Sequence, residues 1–333
     1  MLKILILLTT LLALAVSGQA VRGSQDDTDT GGPLYLPMMV RLNNDPFRSP
    51  SPEWLAYLND MRGLAGLPYL TENTDWSLGC EQHSRYMVLN DLMEHHEDPD
   101  NPWYTTAGDS AAGNSNLMMS SSIDRPETYP IDLWLSGPFH GLGLLDPELQ
   151  RTGFGLYREA VGDWEFAACL DVLRGLGPLP AEVSFPIMWP GPGQQMPYTA
   201  YYGGEFPDPL SACPGYDTPS GPPIYLQLGS GSVTPDVSAS SFTHNGQPLE
   251  HCLYDEVSYN GEYQSLARSV LNSRDAVILI PRAPLVEGGR YTVSITANGQ
   301  RHTWSFTTAS GSRAPLSGET PDSRSGPLLE LND

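Results

Sequence analysis

The sequence predicts an α+β chain: an α-β-α sandwich over residues 48–175, followed by an all-β sandwich over residues 213–308. Three observations predict it. Two stretches before residue 95 carry apolar residues at helical spacing. A strand, a tight turn and a returning strand then occupy Thr152 to Leu173. From Cys213 onward the pattern becomes short alternating strands, with Asn245-Gly246 and Asn298-Gly299 as hairpin turns between them.

The elements follow in order. Lys3, an apolar run from Ile4 to Val16 and Ser17-Gly18-Gln19-Ala20 have the order of a secretory signal, so residues 1–20 are expected to be removed on export. That run is too short to span a bilayer comfortably, and no other stretch reads as a span. Residues 21–47 form a leader, polar and disordered at first, then more apolar from Leu34. Ser51 caps the first helix with Pro52 at its first position. Trp54, Leu55, Leu58, Met61 and Leu64 make its buried face. The second helix starts at Asn73 or Thr74 and runs to about Met93, with Trp76, Cys80, His83, Met87 and Asn90 on one face. A histidine on such a face is ordinarily a satisfied core residue. Pro99 forbids continuation.

A short helix over Pro130 to Leu135 is broken by Gly137-Pro138, which places Phe139-His140 in a loop. Thr152 to Tyr157 reads as a strand, Val161-Gly162-Asp163 as a turn, and Trp164 to Leu173 as the return with Phe166, Ala168 and Leu170 on one face. Residues 176–212 are a Pro/Gly-rich connector, extended but ordered, because Phe185, Ile187, Trp189, Tyr198 and Tyr201 need burial. Strands are expected at Pro223–Leu228, Ser240–Thr243, Ala276–Pro281, Arg290–Thr296 and His302–Thr308. Residues 309–333, rich in Ser, Gly, Pro and acid, read as a disordered tail.

At 333 residues the chain can hold two cores of ordinary size. Its net charge is -22 and its single lysine is Lys3, so the mature chain's fixed positive charge is scattered arginine. Such a surface repels nucleic acid and anionic lipid and names no partner. Four cysteines in an exported chain are expected to be bridged. Pairing within each half joins Cys213 to Cys252; Cys80 and Cys169 either pair as well or stay buried as thiols.

Several ordered blocks carry a family resemblance. They are Leu58-Asn59-x-x-Arg62, Gly66-Leu67-Pro68-x-Leu70, Asn101-Pro102-Trp103-Tyr104-Thr105, Gly108-Asp109, Ser115-Asn116, and Trp134 with Pro138, His140 and Gly153-Phe154-Gly155. Over about residues 50 to 175 they resemble the CAP superfamily (cysteine-rich secretory, antigen 5 and pathogenesis-related 1 proteins; SCP domain), in its bacterial form. Pro284-Leu285-x-x-Gly288 before Tyr291-Thr292-Val293 resembles bacterial Ig-like domains.

The CAP resemblance implies a cleft with two histidines and two carboxylates, sometimes holding a divalent metal, because neutral imidazoles suit zinc. His95 and His140 match the histidines. The first carboxylate falls in the turn that offers Asp109 or Asn114. The second falls at Gly137, which has no side chain, and Gly141 replaces an arginine after the histidine. Glu97 is a further carboxylate near His95. The candidate cleft residues are therefore His95, His140, Asp109, Asn114, Asn116 and His83, with His95 and His140 as the metal-binding pair. With so few acids the expected metal is a weakly held zinc or other divalent cation, and no cofactor is required. A Ser136, His140 and Asp146 triad can also be drawn, without a nucleophile-elbow context. The leading expectation is a secreted, extracellular, non-enzymatic protein binding a ligand or a cell-envelope component. The rivals are a secreted metal-dependent hydrolase using His95 and His140, and a purely structural envelope protein.

Overall fold

A computed structural model describes residues 53–310, all of which belong to one compact unit. The expected signal segment, the leader and the tail from residue 311 lie outside the described residues.

Helices α1 (Glu53–Gly63) and α2 (Thr74–Asn90) form where the apolar spacing places them. Asn73 caps α2, its side chain accepting from the amides of Asp75 and Trp76, and Asp91 ends it in a left-handed conformation. Between them, β1 (Thr71–Glu72) is a short strand. Helix α3 (Thr106–Ala112), capped by Thr105, stands where the sequence suggested only a Gly-rich turn. Strand β2 (Ser115–Ser120) follows, then α4 (Tyr129–Ser136). His140 was expected in a loop; instead Pro138 starts a further helix, α5 (Pro138–Leu144). Proline breaks the preceding helix but is well suited to a first turn, and that is its role here. After β3 (Arg151–Thr152), β4 (Phe154–Arg158) and β5 (Phe166–Asp171) form the expected hairpin.

The sheet order β2-β5-β4 is antiparallel, with Leu117 opposite Cys169 and Gly155 opposite Cys169 on the other side. Both of its faces are buried. Leu117, Met119, Tyr157, Ala167 and Cys169 pack with Cys80, Met87 and Val88 of α2. The alternate residues Met118, Phe154, Leu156, Phe166, Ala168 and Leu170 join Trp54 and Leu58 of α1 and Leu135 of α4. Gly155 permits this layering: a Cβ there would stand 2.0 Å from the Glu81 amide nitrogen. A disulfide joins Cys80 of α2 to Cys169 of β5, with Cα atoms 5.0 Å apart.

Arg62 holds the far end of this layer. It is fully buried, and its guanidinium donates to the carbonyls of Pro68, Leu144, Asp146 and Leu149. Burial lowers its pKa to about 10, with Asp146 opposing the shift.

The connector does not hang between the halves. Its β6 (Ile187–Trp189) pairs with β8 (Ile224–Gln227), and its β7 (Gln195–Met196) pairs with β14 (Gln300–Thr308). The remaining elements are β9 (Val237–His244), β10 (Gln247–Pro248), β11 (His251–Tyr254), α6 (Gln264–Asn272), β12 (Ala276–Pro281) and β13 (Arg290–Ala297). They build a five-stranded sheet, β10-β9-β13-β14-β7, and a four-stranded sheet, β11-β12-β8-β6. The Asn245-Gly246 and Asn298-Gly299 turns sit at positive φ, as two-residue hairpins require. Cys213 and Cys252 form the second disulfide, tying the end of the connector to β11.

One continuous core runs from Trp54 to Phe306, taking in Trp134, Trp189, Tyr225 and Ile278. Polar ties follow it. The Trp189 indole donates to the Met61 carbonyl, the Gln227 amide to the Leu145 carbonyl, and Arg274 pairs with Asp146 at 2.9 Å.

Candidate functional site

His140 sits on the first turn of α5 with its side chain 4% exposed. Its partner is Glu205, from the connector. Glu205 Oε1 accepts from the backbone amides of Phe139 and His140, both at 2.7 Å, and lies 3.0 Å from His140 Nδ1. One carboxylate oxygen thus gathers three donors. Asn116 of β2 donates to the His140 carbonyl at 3.2 Å, which joins two of the sequence candidates.

Two glycines make the arrangement possible. A Cβ on Gly137 would stand 2.7 Å from Glu205 Cδ, and one on Gly141 would stand 2.3 Å from the Tyr225 hydroxyl. The Tyr225 hydroxyl donates to the carbonyl of Gly137 at 3.0 Å. The places of side chains on Gly137 and Gly141 are therefore filled by groups from the second half of the chain. Tyr254 stacks on Phe139, with ring centroids 6.5 Å apart.

Burial sets the electrostatics of this pocket. It pushes the Glu205 carboxyl above its ordinary value; the hydrogen bond and charge of His140 and the two amides offset that only in part. Burial likewise raises the hydroxyls of Tyr201, Tyr225 and Tyr254 well above theirs, and the nearby Glu205 adds to each shift. Among the described residues, His140 Nε2, Glu205 Oε2 and the Tyr254 hydroxyl are buried without a protein hydrogen-bond partner.

The other candidates gather at the end of α2. His83 is a core histidine, with Nδ1 3.0 Å from Glu97 Oε1 and Nε2 3.0 Å from the Glu94 carbonyl oxygen. Glu97 Oε2 accepts from the Thr105 amide, and Asp109 accepts from the Glu97 amide. His95 Nδ1 donates to the Ala112 carbonyl at 2.9 Å. Asn114, just past the end of α3, donates to the Ser110 carbonyl in its last turn at 2.8 Å. Asp109 and Glu97 thus brace a loop, and both of their carboxylates are engaged.

The triad drawn from sequence is not assembled. The Ser136 hydroxyl donates to the Leu133 carbonyl, Asp146 pairs with Arg274, and His140 pairs with Glu205. A resident metal does not fit either. The orphaned Nε2 of His140, backed by a carboxylate on Nδ1, has the form of one ligand. Among the described residues, however, no group of three or more His, Cys, Asp or Glu could hold an ion.

Glu205, Tyr225 and Tyr254 escaped sequence reasoning. Glu205 follows Gly203-Gly204 and precedes Phe206-Pro207, a setting that reads as an exposed turn. Only the pairing of the connector with the C-terminal sheets brings it to His140.

Residues 55–170 match the CAP family, the cysteine-rich secretory proteins. The CAP segment spans most of α1 and runs through nearly all of β5, so it includes His83, His95 and His140. Glu205, Tyr225 and Tyr254 lie beyond it, and the His140 pocket is completed from outside the CAP segment. Among solved structures, an extracellular protein containing a SCP domain from Bacillus anthracis str. Ames, at 1.5 Å resolution, is similar at 19% identity with a TM-score of 0.28. The similarity covers 37% of this chain and 39% of that one. No curated protein matches.

Proposed function

We propose that this is a secreted CAP-domain protein that binds an extracellular ligand or a cell-envelope component and catalyses no reaction. One observation carries the reading: Glu205 holds the His140 ring and both adjacent amides, so the imidazole fastens a loop. Held this way, the ring is not available to substrate as a base or to a metal as a ligand. Two disulfides in one chain suit an oxidising compartment, which supports export.

His95 and His140 share the binding cleft in this reading. Ala112, whose carbonyl accepts from His95 Nδ1, is four residues from Asn116, whose side-chain amide donates to the His140 carbonyl. That span is at most about 14 Å of chain. The C-terminal sheets act as an Ig-like docking module. Zinc binds the histidine pair weakly at most, since two imidazoles leave a tetrahedral site short of ligands.

Elemental analysis of the exported protein and of His140→Ala tests the proposal. The expected result is no stoichiometric metal in either sample. One metal per chain that disappears in His140→Ala would overturn the binding reading in favour of a metal-dependent hydrolase.

A further inference from the structure

The segment that carries Glu205 has the features of a moving part. Residues 202–207 run between two fixed points. On one side Tyr201 exchanges backbone hydrogen bonds with Ser220. On the other, Asp208 caps a 3-10 turn over Pro209–Ala212, which ends at the disulfide-bonded Cys213. Between these points, residues 202–207 make no backbone–backbone hydrogen bond among the described residues. The segment is held down by the Glu205 carboxylate on α5, a 3.4 Å hydrogen bond from the Glu205 amide to the Tyr201 hydroxyl, the Phe206 ring against Tyr263 at 4.2 Å, and burial of Pro207 at its end.

Three further observations bear on how firmly it is held. Gly203 and Gly204 have φ of 95 and 93, so the chain turns there through conformations that only glycine adopts without strain. The ring it leans on is exposed, since Tyr263 is 57% accessible and itself sits at φ 46. The closed arrangement also leaves His140 Nε2, Glu205 Oε2 and the Tyr254 hydroxyl buried with no protein partner among the described residues. Each of these groups regains hydrogen bonds when water reaches it, which lowers the cost of opening.

We propose that residues 202–207 are a lid over His140, latched by Glu205 and hinged at Gly203-Gly204, which lifts without unfolding either half of the protein. The lid deepens the reading of His140 as a cleft residue and rests on it. Closed, it shields the imidazole; open, it presents the ring to an incoming ligand. Its anchors stay in place, because Ser220 and Cys252 hold the two ends.

The test uses the exported full-length protein and diethyl pyrocarbonate at neutral pH, with modification of each histidine read by peptide mass spectrometry. His96, with its side chain 65% exposed, marks the rate of an open ring. His83, fully buried between Glu97 and Glu94, marks the rate set by global unfolding. The lid predicts that His140 reacts at least tenfold slower than His96 and at least tenfold faster than His83, at a rate insensitive to low urea. Glu205→Ala should speed His140 tenfold or more and leave His83 unchanged. Should Glu205→Ala fail to fold, Phe206→Ala and the wild-type ranking carry the same test. A His140 rate equal to that of His96 would remove the lid and keep the cleft. A rate equal to that of His83, with the same urea dependence, would remove both.

Discussion

The carboxylate of Glu205 occupies the place where a side chain on Gly137 would stand, its Cδ 2.7 Å from that Cβ position. One turn along, the Tyr225 hydroxyl occupies the place of a side chain on Gly141. The bare edge of α5 is a socket for the second half of the chain, and its glycines are structural requirements.

Gly137→Ala should therefore expel the carboxylate, and Gly141→Ala should push Tyr225 off the Gly137 carbonyl. Each is expected to cost about 1–3 kcal/mol, the usual range for overpacking a filled core. Urea unfolding of the two variants checks this. A variant as stable as the parent would mean that the socket yields freely.

Stability should depend on the titration of Glu205. Its pKa is raised from 4.5 in the folded protein by burial, so the folded state holds its proton more tightly than the unfolded chain does. The contribution is fully present below about pH 4.5 and is lost as pH rises through the raised value. The pocket groups facing this carboxylate are His140, Tyr201, Tyr225, Tyr254 and Tyr259. Glu205→Gln removes the titration, so the melting temperature of the wild type minus that of the variant should fall across this window. A flat difference would contradict a buried carboxylate at this position.

Arg62→Leu should be among the most damaging single changes. It takes the Arg62 donor from the carbonyls of Pro68, Leu144 and Leu149, where each unsatisfied acceptor costs about 1–3 kcal/mol, and leaves the Asp146 carbonyl with the Leu149 amide. The expected loss exceeds about 3 kcal/mol, read as a drop in the denaturant midpoint. Such a change also loosens the turn after α5.

The disulfide between Cys213 and Cys252 closes a sequence separation of 39 and should stabilise by about 4 kcal/mol in the chain-entropy model. Cys213→Ser/Cys252→Ser should unfold earlier by that amount. It should also raise the reactivity of His140, because the disulfide fixes the end of the segment that carries Glu205.

The sequence by itself determined the elements whose signal is local. The spacing of Trp54 and Leu58, and of Cys80, His83 and Met87, dictates which helix faces are buried, since a 3.6-residue period admits one face. Alternation fixes Phe166, Ala168 and Leu170 on one side of β5, and Asn-Gly pairs mark two hairpins. The His83 ring as core, and the Cys213–Cys252 pairing, were also legible. Tertiary structure decided the site. His140 sits on a helix because Pro138 starts one, and its partner is 65 residues away on a connector with no periodic pattern. The buried Arg62 is satisfied by carbonyls about 80 residues distant, which no local rule anticipates. Glu205 reaches His140 because β6 and β7 anchor the connector to two sheets and two glycines leave room for it. Local periodicity reports how one segment meets the core; which segments then meet one another is settled by packing.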